Sequence, residues 1–226
     1  MLKKYKIPLI TIFAVLFIDQ FIKIFIKLHY PLGEVTRVAG NWFILHFTEN
    51  PGMAFGLEFG GDYGKLILSV FRIIASVAGI WYVIHIVKKG EHWAFIFSVS
   101  LILAGAIGNI LDSAFYGMLF SESDEFNKSV FLPEGGGYAG FLHGRVVDMF
   151  YFPICNGHFP SWFPFWGGEE FQFFRPIFNF ADSSISSGVG MILLFQKKFT
   201  AKKTDSINHE SNLDNTDSQT HPYNAS

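Results

Sequence analysis

FNFADSSISSGVGMILLF, residues 178–195, decides how this chain is read. The stretch is otherwise fit to cross a bilayer, yet Asp182 stands near its head with Asn179 three residues before. A carboxylate at membrane depth is costly unless it is paired, hydrated or protonated, so it marks a functional site by default. A second carboxylate, Asp148, lies in the equally apolar GRVVDMFYFP, residues 144–153. Two carboxylates brought together share one proton, the arrangement that activates water in aspartic proteolysis.

The rest of the composition agrees with a membrane setting. Half of the 226 residues are hydrophobic, 28 of them Phe, and only 16% are charged, against roughly 25% in soluble domains. The net charge of −2 gives no reason to expect a nucleic-acid partner. The lone Cys155 excludes an internal disulfide. No histidine-bearing nucleophile motif surrounds that thiol, so it is expected to be dispensable. No cysteine–histidine spacing suits a metal, and no glycine loop suits a phosphate.

Four apolar stretches are long enough to span, at about 20 residues per ~30 Å of hydrocarbon. They run approximately over 7–28, 66–87, 93–111 and 176–195. The first is too long for a cleaved signal, and no small-residue cleavage site follows it. Lysines cluster at 3, 4 and 6, at 88 and 89, and at 197, 198, 202 and 203. All fall on one side, which the positive-inside rule makes cytoplasmic. Both termini are then inside, and segments 29–65 and 120–175 lie outside.

The fold expected is a mainly α membrane protein. It has four transmembrane helices, a small extracytoplasmic β-sheet and an aromatic-rich flap. NWFILHFT, residues 41–48, reads as a strand, as does GRVVDMFYF. The aromatics between His158 and Phe174 suit an interfacial belt and also a flap over a membrane-level cleft. Residues 1–199 are expected to form one integral membrane domain. The polar stretch 200–226 is expected to be a disordered cytoplasmic tail.

Depth can be read along each span at about 1.5 Å per residue. Asp19, Gln20 and Lys23 fall in the outer half of the first span, and Asp19 and Lys23 share a helix face. Asn109 and Asp112 lie near the outer end of the third. Asn179 and Asp182 lie in the first turns of the fourth. Three helices thus bring polar residues to one level, which points to a hydrated cleft. Asn109 and Asn179 could instead bond neighbouring helices, and Asp19–Lys23 could be a structural pair only. Gly105 and Gly108 would let another helix approach closely beside Asn109.

Read in order, these motifs resemble the bacterial lipoprotein signal peptidases (signal peptidase II). The similarity rests on Asp19-Gln20-x-x-Lys23, Asn50-x-Gly52-x-Ala54-Phe55, Gly105-x-x-x-Asn109-x-x-Asp112, Val146-Val147-Asp148 and Phe178-Asn179-x-Ala181-Asp182. It covers nearly all the chain except the tail. The long segments between Asp112, Asp148 and Asp182 resemble the form found in Bacteroidetes-type bacteria. One departure is Ser113, where the family commonly has Arg; Arg145 and Arg175 are candidates to supply that charge.

The resemblance implies an aspartic endopeptidase that removes the signal peptide from diacylglyceryl-modified prolipoproteins, cutting before the lipidated cysteine. It implies Asp148 and Asp182 as the catalytic dyad. Asp19, Lys23, Asn50, Gly52, Gly105, Asn109, Asp112, Asn179 and Ala181 would support the dyad or the substrate. No metal and no cofactor are expected. The partners would be the lipidated precursor and membrane phospholipid, the enzyme a monomer of the bacterial inner membrane, and the site at the periplasmic leaflet. The competing class is a small proton-coupled transporter. Such a relay needs polar groups through the whole thickness, whereas the inner halves of these spans are apolar.

Overall fold

The structure, a computed structural model, describes residues 2–51, 61–153, 155–173 and 176–196. Gly52, Ala54, Phe55, Arg175 and the tail 200–226 lie outside the described residues.

The first helix, α1, covers Lys6–His29. Its buried positions include Thr11, Val15, Asp19, Lys23 and Lys27, one per turn. The opposite face exposes Leu9, Phe13, Phe17, Phe21 and Phe25. Phe13, Phe17 and Phe21 stack along it, with centroids 6.2 and 6.3 Å apart. A soluble helix does the reverse. Charges inward and phenyl rings outward make a helix that expects lipid as its solvent.

Strands β1 (Val35–Ala39) and β2 (Phe43–Asn50) follow as an antiparallel pair. Then come α2 (Gly61–Lys89) and α3 (Trp93–Leu111). Gly90 turns the chain between them at φ +71°, a conformation suited to glycine. Helix α3 starts on His92, whose Nδ1 accepts the Ala94 N–H at 3.2 Å. Among the described residues, three helices are long and apolar enough to cross a membrane, at 6–29, 66–89 and 93–119.

The third helix outlasts its sequence signal. Past Leu111 it widens into one π turn, Asp112–Tyr116, and closes with Gly117–Leu119. Such a bulge disturbs the normal ladder. Segment 139–144 makes good the loss. Gly144 N–H donates to the Ser113 carbonyl at 2.8 Å, and Ala139 N–H to that of Gly117 at 2.9 Å. Gly144 is where this approach requires glycine, since a Cβ there would overlap the Asp112 carbonyl.

Strand β3 is Val146–Tyr151, β4 is Cys155–His158, β5 is Glu170–Phe173 and β6 is Ile177–Phe178. One sheet has the order β1-β2-β3-β6, and β4 and β5 make a separate hairpin. All the pairings are antiparallel.

The expected fourth span is corrected at its start. Ile177 and Phe178 pair with Tyr151 and Phe150, so the C-terminal helix begins at 180, not 176, and is described over 180–196. Pro176 cannot donate within a helix, and Asn179 is a natural cap for the helix behind it.

The sheet sits on the ends of α1 and α3. Ile26, Phe47, Tyr116, Phe120, Val147 and Met149 form the core there. A second core, Val83, Ile86, Val87, Ile96, Val99 and Leu103, joins α2 and α3 at the other end. An apolar cavity of about 600 Å³ lies at that end, lined by Pro8, Ile12, Ile80, Ile84 and Leu103, remote from Asp148. The C-terminal helix packs on α3 through small residues. A Cβ on Gly105 would overlap the Ala181 carbonyl and sit 2.7 Å from Ile185 Cγ1.

Candidate active site

Asp148 is carried by β3, opposite Thr48 of β2, and its side chain is buried. Asp182 is half-buried in the first turn of the C-terminal helix. Asn179 joins them. Its Nδ2 donates to Asp148 Oδ1 at 2.6 Å. Its Oδ1 accepts the Asp182 N–H at 2.9 Å, while its own N–H donates to Asp182 Oδ2 at 3.3 Å. That reciprocal exchange across three residues is a capping box, so the motif that starts the helix also orients the carboxylate.

Asn109 of α3 approaches from the other side. Its Nδ2 donates to Asp182 Oδ1 at 2.8 Å, and its Oδ1 accepts from Asn179 Nδ2 at 3.2 Å and from Lys23 Nζ at 2.9 Å. Lys23 fixes that amide and closes a buried cluster. Its Nζ lies 2.9 Å from Asp19 Oδ2 and 2.8 Å from Asp112 Oδ2, with all three side chains fully buried. The sequence pairs Lys23 with Asp19; the structure adds Asp112 as a second counter-ion.

The same cluster ties the elements together. Asp19 Oδ1 accepts the Ala181 N–H at 2.8 Å, which seats the C-terminal helix on α1. Asp112 Oδ2 accepts the Val147 N–H at 3.3 Å, which seats β3 beside α3. Gln20 Nε2 donates to Asp112 Oδ1 at 2.9 Å, and the Tyr116 hydroxyl donates to Gln20 Oε1 at 3.1 Å. Asn50, at the end of β2, adds a side-chain hydrogen bond to Asp148. Gly105, Asn109, Asp112 and Ala181 therefore all belong to this region, whereas Gly52 lies outside the described residues.

Burial pushes the Asp148 carboxyl up to about 7; the Asp182 charge adds to the rise, and the Asn179 hydrogen bond opposes it.

Of the two candidates for the missing Arg, Arg175 lies outside the described residues and Arg145 is engaged elsewhere. Its guanidinium goes to Glu49 Oε2 at 3.4 Å and Glu122 Oε1 at 2.9 Å. Ser113 turns inward, its Oγ donating to the Asn109 carbonyl at 3.1 Å. Among the described residues, Arg72 of α2 acts by charge on both Asp148 and Asp182. A lone Arg inside an apolar run is a signal in the sequence, although it lies in none of the five motifs. Among the described residues, no group of three or more His, Cys, Asp or Glu is arranged to hold a metal ion.

A family model described as signal peptidase (SPase) II matches residues 11–197. The chain belongs to the signal peptidase II family. It is 54% identical over 190 residues to the lipoprotein signal peptidase of Porphyromonas gingivalis strain W83, a match covering 84% of this chain and 81% of that protein. The Amoebophilus asiaticus lipoprotein signal peptidase is 37% identical, covering 85% and 78%. That of Streptococcus pneumoniae is 25% identical, covering 87% and 96%. Among solved structures, a bacterial membrane enzyme determined by the in meso method at 2.3 Å is similar with a TM-score of 0.52. At 22% identity over 87% of this chain and 90% of that one, this likeness shows the fold alone. Membership makes this signal peptidase II family chain a membrane protease of lipoprotein processing and disfavours the transporter class.

Proposed function

We propose that the protein is an aspartic endopeptidase that cleaves lipid-modified lipoprotein precursors before the lipidated cysteine, with Asp148 and Asp182 as the catalytic pair. The observation that carries this reading is the Asn179 bridge, one side chain bonded to both carboxyl-bearing residues. Asp182 has the better-solvated, donor-rich setting. It takes hydrogen bonds from Asn109 Nδ2 and from the Asn179 N–H, and it stands at a helix N-terminus, which favours negative charge. Asp182 is therefore the ionised base that takes a proton from water. Asp148, buried and raised, keeps its proton, hydrogen-bonds the scissile carbonyl and then protonates the leaving amine. Arg72 adds positive charge that acts on both carboxyls. No step needs a metal or cofactor. Asp19, Lys23, Gly105, Asp112 and Ala181 position these groups, and Asn50 braces Asp148.

The pH profile tests this assignment. The free enzyme needs its one proton, so kcat/KM is expected to fall as pH rises through about 7, where Asp148 loses it. A rate that climbs steadily above pH 8 would remove Asp148 from the acid role.

The lysine clusters support four spans, cytoplasmic termini and a site at the periplasmic leaflet. The 1–199 region is proposed as one monomeric membrane domain in contact with phospholipid. A reporter after Ser226 should then behave as cytoplasmic and one near Gly136 as exported. The reverse pattern would move the site to the wrong leaflet.

The β4–β5 hairpin is proposed as the flap. Phe159, Phe163 and Trp166 cluster at its tip, with centroids 5.1 to 6.3 Å apart. Phe165 is 92% exposed and Trp162 78%. An exposed aromatic tip suits the headgroup zone, and closure there would limit water around the scissile bond. Trp162→Ala with Trp166→Ala is expected to raise KM for a lipidated precursor about ten-fold, a loss of ~1.4 kcal/mol, with little change in thermal unfolding. An unchanged KM would leave the hairpin as an ordinary surface loop.

A further inference from the structure

A second buried ionic cluster stands one residue from the site and outside every family motif. The Lys27 ammonium, fully buried, pairs with Glu49 Oε1 and donates to Ser123 Oγ at 2.8 Å. Ser123 Oγ donates to the same Glu49 oxygen at 2.9 Å. Glu49 Oε2 faces Arg145 at 3.4 Å, and Arg145 reaches on to Glu122 at 2.9 Å. The Tyr138 ring lies between the two cations, 5.1 Å from Lys27 Nζ and 5.2 Å from Arg145 Cζ. Its hydroxyl accepts the Arg145 N–H at 2.6 Å. Four parts of the chain meet here: the end of α1, β2, the 122–123 turn and the 138–145 segment.

The position of Glu49 gives this cluster its meaning. It pairs with Val147 across β2 and β3, and its neighbour Asn50 pairs with Val146. Asn50 is also the residue of β2 whose side chain hydrogen-bonds Asp148. The β2–β3 ladder is irregular between Leu45 and Thr48, and Pro51 follows directly on Asn50, the last residue of β2. A strand with a bulge on one side and proline on the other has few ladder bonds to hold its end.

We propose that Glu49, clamped by Lys27, Ser123 and Arg145, is a positioning residue that holds Asn50 against Asp148. Arg145 thereby serves the site at one remove. This rests on the proposed role of Asp148 as the proton-bearing member of the pair. Other groups that act on Asp148 are Asp182 of the C-terminal helix, Lys23 of α1, Arg72 of α2 and the amide of Asn179. Glu49→Gln leaves all of these in place.

The test follows the Asp148 carboxyl itself by infrared spectroscopy, identifying its protonated band by loss in Asp148→Asn and titrating it with pH. This readout does not depend on cleavage. An inactive wild type would count against the proposed function, whereas the titration would still report on the clamp. Losing the Asn50 hydrogen bond should move the midpoint upward by about one pH unit, since a hydrogen bond to a carboxylate is worth about that much. Glu49→Gln and Lys27→Met should both show this shift, with kcat lowered about ten-fold and KM little changed, and Lys27→Arg should restore most of it. Arg145→Gln, at a half-exposed position, should give a smaller shift in the same direction and serves if the buried variants do not fold. A midpoint that stays at the wild-type value in the folded variants overturns the proposal. So does a rate loss that merely tracks the folded fraction.

Discussion

Asp148→Asn and Asp182→Asn are each expected to lower cleavage by about 10³-fold or more while the protein stays inserted and folded. General acid–base groups contribute ~10² to 10⁴ each, and here the two depend on one shared proton, so losing either removes both functions. Asn is close to isosteric with Asp. In Asp148→Asn, the Asn179 Nδ2 bond can still be accepted by the new amide oxygen. In Asp182→Asn, the capping box keeps an acceptor for the Asn179 N–H. Retention in the membrane and a normal thermal transition are the controls. Turnover within a few-fold of wild type in either variant would take that residue out of the chemistry.

The second large effect is on stability. Lys23→Met is expected to destabilise the protein by about 3–5 kcal/mol, the cost of leaving a buried ion cluster without one partner. Asp19 and Asp112 would then face each other fully buried with no cation between them. Their roles in seating Ala181 and Val147 would weaken together. Against a typical margin of ~5–15 kcal/mol, that is enough to cost much of the folded protein. Adding Asp19→Asn and Asp112→Asn to Lys23→Met should recover part of the loss, because the uncompensated charge is gone. Thermal unfolding in detergent checks both. A single variant as stable as wild type would show that the lysine is not what neutralises the pair.

Much of this was legible in the residues, for physical reasons. Carboxylates and amides at one depth of several apolar runs have little alternative to meeting, so Asp19, Lys23, Asn109, Asn179 and Asp182 converge as the pattern suggests. The strand read over 41–48, which the structure places at Phe43–Asn50 after a turn, and the strand around Asp148 follow from aromatic and β-branched residues. Other features had no local signal. A sheet edge and a helix start compete for Ile177 and Phe178, and pairing with Phe150 and Tyr151 decides for the sheet. The π turn after Leu111 depends on carbonyl partners from residues 139–144, far along the chain. Arg145 looked available for the site because charge is visible in a sequence and distance is not; Glu49 and Glu122 claim it.

The most direct test is cleavage by the purified protein of a precursor carrying a diacylglyceryl-cysteine, with the products weighed by mass spectrometry. The account predicts one cut, immediately before the lipidated cysteine. It also predicts little product from the same precursor without lipid, and none from Asp148→Asn or Asp182→Asn. A cut elsewhere, equal turnover of the unlipidated chain, or full activity without either aspartate would contradict it.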